Sequence, residues 1–169
     1  MRNHYESEIG FFKGAIKPDV DTFRESLEII DSQLEKNGSE KNYLMYCTGG
    51  IRCEYARQVK EKKLMNNFLG KNFVFDERRG ERISDDIVSN CHQCGEPCDT
   101  HVNCFNEACH LLFIQCEKCR LRMRNCCSDE CINIIELSYE EQKKLRKGKH
   151  NSNKIFKKGR SDKLKYKLS

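Results

Sequence analysis

Cys91-His92-Gln93-Cys94-Gly95-Glu96-Pro97-Cys98, then Cys104, Cys109-His110, Cys116-Glu117-Lys118-Cys119, Cys126-Cys127 and Cys131: ten of the twelve cysteines of this chain lie in this stretch, and reading it decides the fold. Two C-x2-C knuckles stand out, Cys91/Cys94 and Cys116/Cys119. A knuckle offers two thiolates to one ion with little backbone strain, and two knuckles complete a tetrahedron. Cys98, Cys104, Cys109, Cys126, Cys127 and Cys131 remain, enough for a second four-thiolate site with two sulfurs spare. His92, His101 and His110 could each replace a sulfur. Order along the chain does not reveal which ligands share an ion. Structural zinc is the expected occupant, an iron–sulfur cluster is the competing metal, since thiolates bind either, and a disulfide framework is the third reading. Beyond Leu111, Leu112, Phe113 and Ile114 the stretch has few large apolar residues. Its folding free energy is therefore expected to be its metal-binding free energy.

Working outward, the chain has 169 residues, with 31 Lys+Arg against 26 Asp+Glu and a formal net charge of +5. Charged residues make up 34% and hydrophobic residues 37%, so any core is small or stapled. No run approaches the roughly 18 apolar residues of a membrane span. Met1-Arg2-Asn3-His4-Tyr5 leads into no apolar stretch, so no secretory leader is expected and the location is read as cytoplasmic. Thiols stay reduced there, which counts against disulfides.

On the C-terminal side, residues 140–169 carry twelve Lys+Arg and three acids. Such a run cannot bury a core and is expected to be disordered past Gly148. Its charge attracts polyphosphates, and Lys143, Lys144, Arg146 and Lys147 are the first candidate RNA contacts. A tail that only aids solubility is the plainer reading. Phe105, Phe113 and Tyr139 could stack on bases, but each reads first as a core or capping residue.

On the N-terminal side, Gly10, Gly14 and Pro18 punctuate a short apolar piece. Phe23, Leu27, Ile30 and Leu34 recur as one helical stripe that Gly38 stops. Tyr43-Leu44-Met45-Tyr46 reads as a buried strand, followed by Cys47-Thr48-Gly49-Gly50-Ile51-Arg52 and a helix from Arg52 to Lys63. Glycines between a strand and a helix N-terminus let successive N–H groups of Thr48, Gly49, Gly50 and Ile51 converge on an anion. That field favours a thiolate at Cys47, and Arg52 could hold an anionic group. Cys47 is thus a candidate nucleophile, against the alternative of a buried structural cysteine.

Ile9-Gly10-Phe11-Phe12-Lys13-Gly14-Ala15-Ile16 with Cys47-Thr48-Gly49-Gly50-Ile51-Arg52-Cys53-Glu54 resembles a rhodanese domain. Gly70-Lys71-Asn72-Phe73-Val74-Phe75-Asp76, Gly80-Glu81-Arg82-Ile83-Ser84, Cys91 to His101 and Cys109-His110-Leu111-Leu112-Phe113-Ile114-Gln115-Cys116 are more specific. Together they resemble the rhodanese-containing tRNA uridine(34) hydroxylase family, over residues 1 to about 131. The resemblance implies oxygen-dependent hydroxylation of the wobble uridine, with molecular oxygen as co-substrate, tRNA as partner, and Cys47 as the active cysteine beside Arg52. Family members begin with a separate α/β domain, and they carry a further strand and helix between the positions of Lys63 and Phe68. By this resemblance the chain is a truncated member.

The expected fold class is α/β: a partial rhodanese-like parallel sheet with helices over 1–65, a connection over 66–89, a cysteine-rich metal-binding module over 90–135, and a basic tail over 136–169, disordered at least past Gly148. Three functions are weighed. One is tRNA hydroxylation through Cys47, one is sulfur transfer through a Cys47 persulfide, and one is a non-catalytic, zinc-stabilised RNA-binding remnant.

Overall fold

The computed structural model describes residues 4–18, 20, 23–37, 67–74 and 79–147. Its contacts divide the chain into two units, Met1–Val88 and Ser89–Ser169.

In the first unit, α1 (His4–Ile9) runs directly into β1 (Gly10–Phe12). Tyr5 and Ile9, one helical turn apart, are both buried, and Tyr5 meets the Phe73 ring edge-on at 5.2 Å. β1 pairs antiparallel with β2 (Phe68–Asn72), which pairs antiparallel with β3 (Glu81–Arg82). The register sets Gly10 opposite Gly70 and Phe12 opposite Phe68, whose rings also meet edge-on. The paired glycines are a steric requirement. A Cβ on Gly10 would lie 2.0 Å from the Lys71 carbonyl oxygen. Gly70 has φ +84°, and a Cβ there would lie 2.2 Å from the Ile9 carbonyl oxygen. The Gly70 carbonyl accepts from the N–H groups of Ile83 and Ser84, and its N–H donates to Ser84 Oγ at 2.7 Å. Three separate stretches that carry the family resemblance therefore meet at this one glycine.

α2 (Phe23–Asn37) ends just before Gly38, as the stop signal requires. Its buried face departs from the expected stripe: Ser26 is buried, whereas Leu27 and Leu34 are exposed.

Two expectations for this unit change. Residues 66–89, read from sequence as a connection, contain two of the three strands. Phe68, Phe73, Val74 and Ile83 are too apolar to leave in solvent, and all four are buried. Among the described residues the pairing is antiparallel throughout. The strand expected at Tyr43–Tyr46, on which the parallel sheet rested, lies outside them, as do Cys47, Thr48, Gly49, Gly50, Ile51 and Arg52.

The second unit has β4 (His101–Asn103) paired antiparallel with β5 (Leu112–Ile114), then α3 (Glu117–Arg122), α4 (Asp129–Glu136) and α5 (Tyr139–Arg146). All of β5 is buried, and Phe113 sits with Cys104, Cys126 and Cys131 in a core where sulfur takes much of the space. The helices are short but capped. Ser128 accepts from the Cys131 N–H, and Ser138 and Glu141 form a reciprocal capping box, each cap contributing about 1 kcal/mol. Residues from 148 onward, including most of the expected tail, lie outside the described residues.

Candidate functional site

The first knuckle is a tight turn: the Cys91 N–H bonds the Glu96 carbonyl, and the Gly95 N–H returns to the Cys91 carbonyl. The second knuckle is the start of α3. Cys116 is the N-cap of that helix, and its sulfur accepts from the Cys119 N–H. The two knuckles come together, and the sulfurs of Cys91, Cys94, Cys116 and Cys119 lie within 4.8 Å of one another. Cys94 and Cys116 are 3.6 Å apart, and the Cys116 N–H donates to Cys91 Sγ at 3.3 Å.

A second tetrad gathers Cys104, Cys109, Cys127 and Cys131, again within 4.8 Å. Cys127 lies 3.7 Å from both Cys109 and Cys131. Asn106, itself buried, shapes this site. Its carbonyl accepts from the Cys109 and His110 N–H groups, its Oδ1 accepts from the Ala108 N–H, and its Nδ2 donates to Cys131 Sγ.

Each tetrad could hold a metal ion, and the geometry narrows the kind. All ten cysteines from Cys91 to Cys131 are free thiols, and the 3.6–3.7 Å separations far exceed a disulfide bond of about 2.05 Å. Four sulfurs around one ion at about 2.3 Å stand about 3.8 Å apart in a tetrahedron. The observed spacing fits that arrangement. An iron–sulfur cluster spreads its four thiolates over two or four irons and so needs some of its cysteines farther apart than the 4.8 Å found here.

The tetrads interleave along the chain. Cys91/Cys94 and Cys116/Cys119 form one, while Cys104/Cys109 and Cys127/Cys131, the alternate pairs, form the other. Two glutamines, buried Gln115 and half-buried Gln93, tie them together. Gln115 Nε2 donates to Gln93 Oε1 at 2.8 Å and also reaches the Cys119 and Cys126 carbonyls. Gln93 Nε2 in turn donates to the Cys126 and Cys127 carbonyls. Side chains from the first site thus hold the backbone of the second.

The thiols differ in proton affinity. Burial pushes Cys91 up, but N–H groups of Cys116, Gln93 and Cys94 outweigh it and bring the thiol down to about 7. In the second tetrad, hydrogen bonds from the Cys104 and Cys127 thiols hold Cys109 down, and the same contact with Cys109 pushes Cys104 up. One member of each tetrad, Cys91 in the first and Cys109 in the second, thus gives up its proton more readily than an ordinary thiol.

Eight of the ten candidate ligands fall in tetrads; Cys98 and Cys126 do not. Both are buried and both thiols are pushed up, burial being the leading cause. They pack as small apolar side chains. None of the three histidines stands in a tetrad. His92 Nδ1 instead accepts from the Ile114 N–H at 3.3 Å. Of the expected RNA contacts, Lys143, Lys144 and Lys147 are exposed. Arg146 is engaged internally, paired with Glu107 and placed 5.9 Å from the Tyr139 ring centroid. Phe113 is core, whereas Phe105 and Tyr139 are exposed.

The family model described as Rhodanase C-terminal matches residues 69–132. Over 95% of its length the chain is 49% identical to the tRNA uridine(34) hydroxylase of Erwinia tasmaniensis. It is also 48% identical to that of Pectobacterium carotovorum and 49% identical to that of Photorhabdus laumondii. The chain is similar to these hydroxylases along nearly all of its own length. It spans about half the length of the curated relatives it matches: 52%, 51% and 52% of the three. The alignments run over 183 positions, more than the chain has residues, so they include positions at which this chain has none. No solved structure shows significant similarity. No helix among the described residues is long and apolar enough to cross a membrane.

Proposed function

We propose that this chain acts in the hydroxylation of the tRNA wobble uridine to 5-hydroxyuridine, an oxidoreductase reaction with molecular oxygen as co-substrate. The observation that carries this reading is the 49% identity to tRNA uridine(34) hydroxylases across 95% of the chain. In this reading Cys47 is the reactive thiolate, held by the N–H groups of Thr48, Gly49, Gly50 and Ile51, with Arg52 positioning an anionic group. The two tetrads hold zinc as closed structural sites. Four thiolates leave no open position for water, so the ions stabilise the fold and take no part in the oxidation. Lys143, Lys144 and Lys147 add electrostatic attraction for tRNA. The residues of the two tetrads fit zinc.

The test is nucleoside analysis of tRNA from cells in which this chain is the sole source of the activity. Expression should yield 5-hydroxyuridine at position 34, and Cys47→Ser should remove it. Modification that persists undiminished in Cys47→Ser refutes the assigned role of that thiolate.

One observation favours a second reading, an RNA-binding unit without catalysis of its own: the alignments include positions that this chain lacks. Salt-dependent tRNA binding by a chain that produces no 5-hydroxyuridine distinguishes it. Sulfur transfer through a Cys47 persulfide is separated from both by mass analysis after thiosulfate treatment, which would add one sulfur to Cys47.

A further inference from the structure

Charge in the second unit is segregated. Between residues 89 and 147 there are eight Lys+Arg, and four of them fall at 118, 120, 122 and 124. Lys118, Leu121 and Arg122 are related by i, i+3 and i+4 on α3, so they share one face of that helix, with Arg122 at its border with buried Cys119. All three are exposed, Leu121 to 73%. Arg120 and Arg124 are occupied: Arg120 by Glu117 and Asn125, Arg124 by Glu136. Among the described residues, Lys118 and Arg122 pair with no carboxylate. Arg122 Nη2 instead donates to Cys119 Sγ at 3.6 Å, which anchors one side of its guanidinium to the first tetrad.

An exposed aromatic ring is tied to the end of the same helix. The Phe105 N–H donates to the Asn125 carbonyl at 2.9 Å, and Asn125 bonds Arg120 through both backbone and side chain. Phe105 is nonetheless 64% exposed, next to a cysteine of the second tetrad. The turn that receives it contains two consecutive non-glycine residues with positive φ, Arg124 at 49° and Asn125 at 59°. Glycine would relieve that strain, yet side chains with contacts of their own occupy both positions.

We infer that Phe105 and the Lys118–Leu121–Arg122 face of α3 form a contact surface for single-stranded RNA, with an unpaired base on the Phe105 ring and backbone phosphates on Lys118 and Arg122. A ring standing in solvent on the same unit as cations without a carboxylate partner matches splayed nucleotides, whereas a stacked duplex would leave the ring unused. The inference deepens the proposed function and rests on tRNA being the substrate. It assigns recognition of the unpaired loop to the metal-clamped unit, apart from the basic residues of α5.

The test uses the full chain with two RNA probes, an anticodon stem-loop and a blunt duplex of equal length, each titrated across salt concentrations. Lys118→Glu combined with Arg122→Gln should weaken stem-loop binding by about tenfold. It should also flatten the log–log salt slope by about 1.4, the share of two phosphates on a single strand. Phe105→Ala should weaken the stem-loop by about tenfold and leave the duplex unchanged, while Phe105→Tyr should restore stacking. Metal content and circular dichroism establish that the variants are folded. Unchanged stem-loop affinity and salt slope in folded, metal-replete variants overturn the inference, as does a wild-type chain that fails to bind the stem-loop. If the variants lose affinity as expected while the wild-type chain forms no 5-hydroxyuridine, the surface stands and the proposed activity falls.

Discussion

The two units of this chain solve one problem by different means. The first keeps its sheet together through close backbone approach at Gly10 and Gly70 and a few buried side chains such as Ile9, Phe68 and Ile83. The second has strands of three residues and helices of six to eight, and it gathers eight cysteine sulfurs where an ordinary domain would put leucines. Oily burial scales with area, which short elements supply poorly, whereas one tetrahedral ion fixes four distant positions at once. A chain with 37% hydrophobic residues can thus build two units by stapling one of them.

The sharpest break of this comparison is metal removal. Zinc bound by four thiolates contributes on the order of 10 kcal/mol per site, more than a unit of this size holds in reserve. Strong chelation should therefore abolish the helical order of α3, α4 and α5, while hydrogen exchange in β1 and β2 stays slow. Retention of that helical order after complete metal loss would show that the second unit does not depend on its ions. Ligand substitution sharpens the point because the tetrads interleave. Cys116→Ser should lower bound metal from two ions per chain to fewer than one. Sites arranged in series would lose one ion and keep the other. Cys98→Ser is the control: a buried thiol outside both tetrads should cost about 1 kcal/mol and leave both ions bound.

The converse break lies in the first unit. Gly10→Ala drives a methyl group into the Lys71 carbonyl, and Gly70→Ala adds a disfavoured φ to a similar collision. Each should destabilise that unit by about 3 kcal/mol or more, seen as faster exchange in β1 and β2, with metal content unchanged. A smaller effect is expected at the glutamine bridge. Gln115→Leu preserves bulk but leaves the Cys126 and Cys119 carbonyls without that donor and Gln93 without its partner. The cost should be about 2 kcal/mol. It should appear as weaker metal retention at both tetrads, although Gln115 is a ligand in neither.

How much of this could be read beforehand follows from the range of each interaction. Cys91/Cys94 and Cys116/Cys119 announce themselves, because two residues between cysteines fix a local geometry that any fold can use. Cys104/Cys109 and Cys127/Cys131 do not. Their spacings are less regular, six cysteines compete for four places, and only packing in space, such as that of Cys126 in the core around Phe113, decides which are left out. The β1–β2 pairing was hidden for a similar reason. Gly10 and Gly70 lie far apart in sequence, and each alone reads as a turn residue. Phe105 was misread because exposure of an aromatic ring is set by its neighbours in space, to which its own sequence gives no pointer.

The smallest expected effect concerns protons at the first tetrad. The Cys91 thiol lies at about 7 rather than its ordinary 9.0, because three N–H groups overcome the cost of its burial. A group whose proton affinity falls on folding stabilises the fold fully above its unfolded value, and loses that contribution as pH falls through the folded one. For Cys91 the window runs from about pH 9 down to about pH 7. Metal binding follows the same sign, because the ion takes the thiolate. With the metal-free unit unfolded, this sulfur starts from its ordinary 9.0, so it releases one proton to the incoming ion throughout pH 8 to 6, and each unit of pH lost costs about 1.4 kcal/mol, or tenfold in affinity, from this residue alone. Competition titrations against a chromophoric chelator should therefore show a proton count that stays level across that range; a count that rises by one as pH drops from 8 to 6 would mean that Cys91 keeps its lowered proton affinity, and with it the folded knuckle, without the ion.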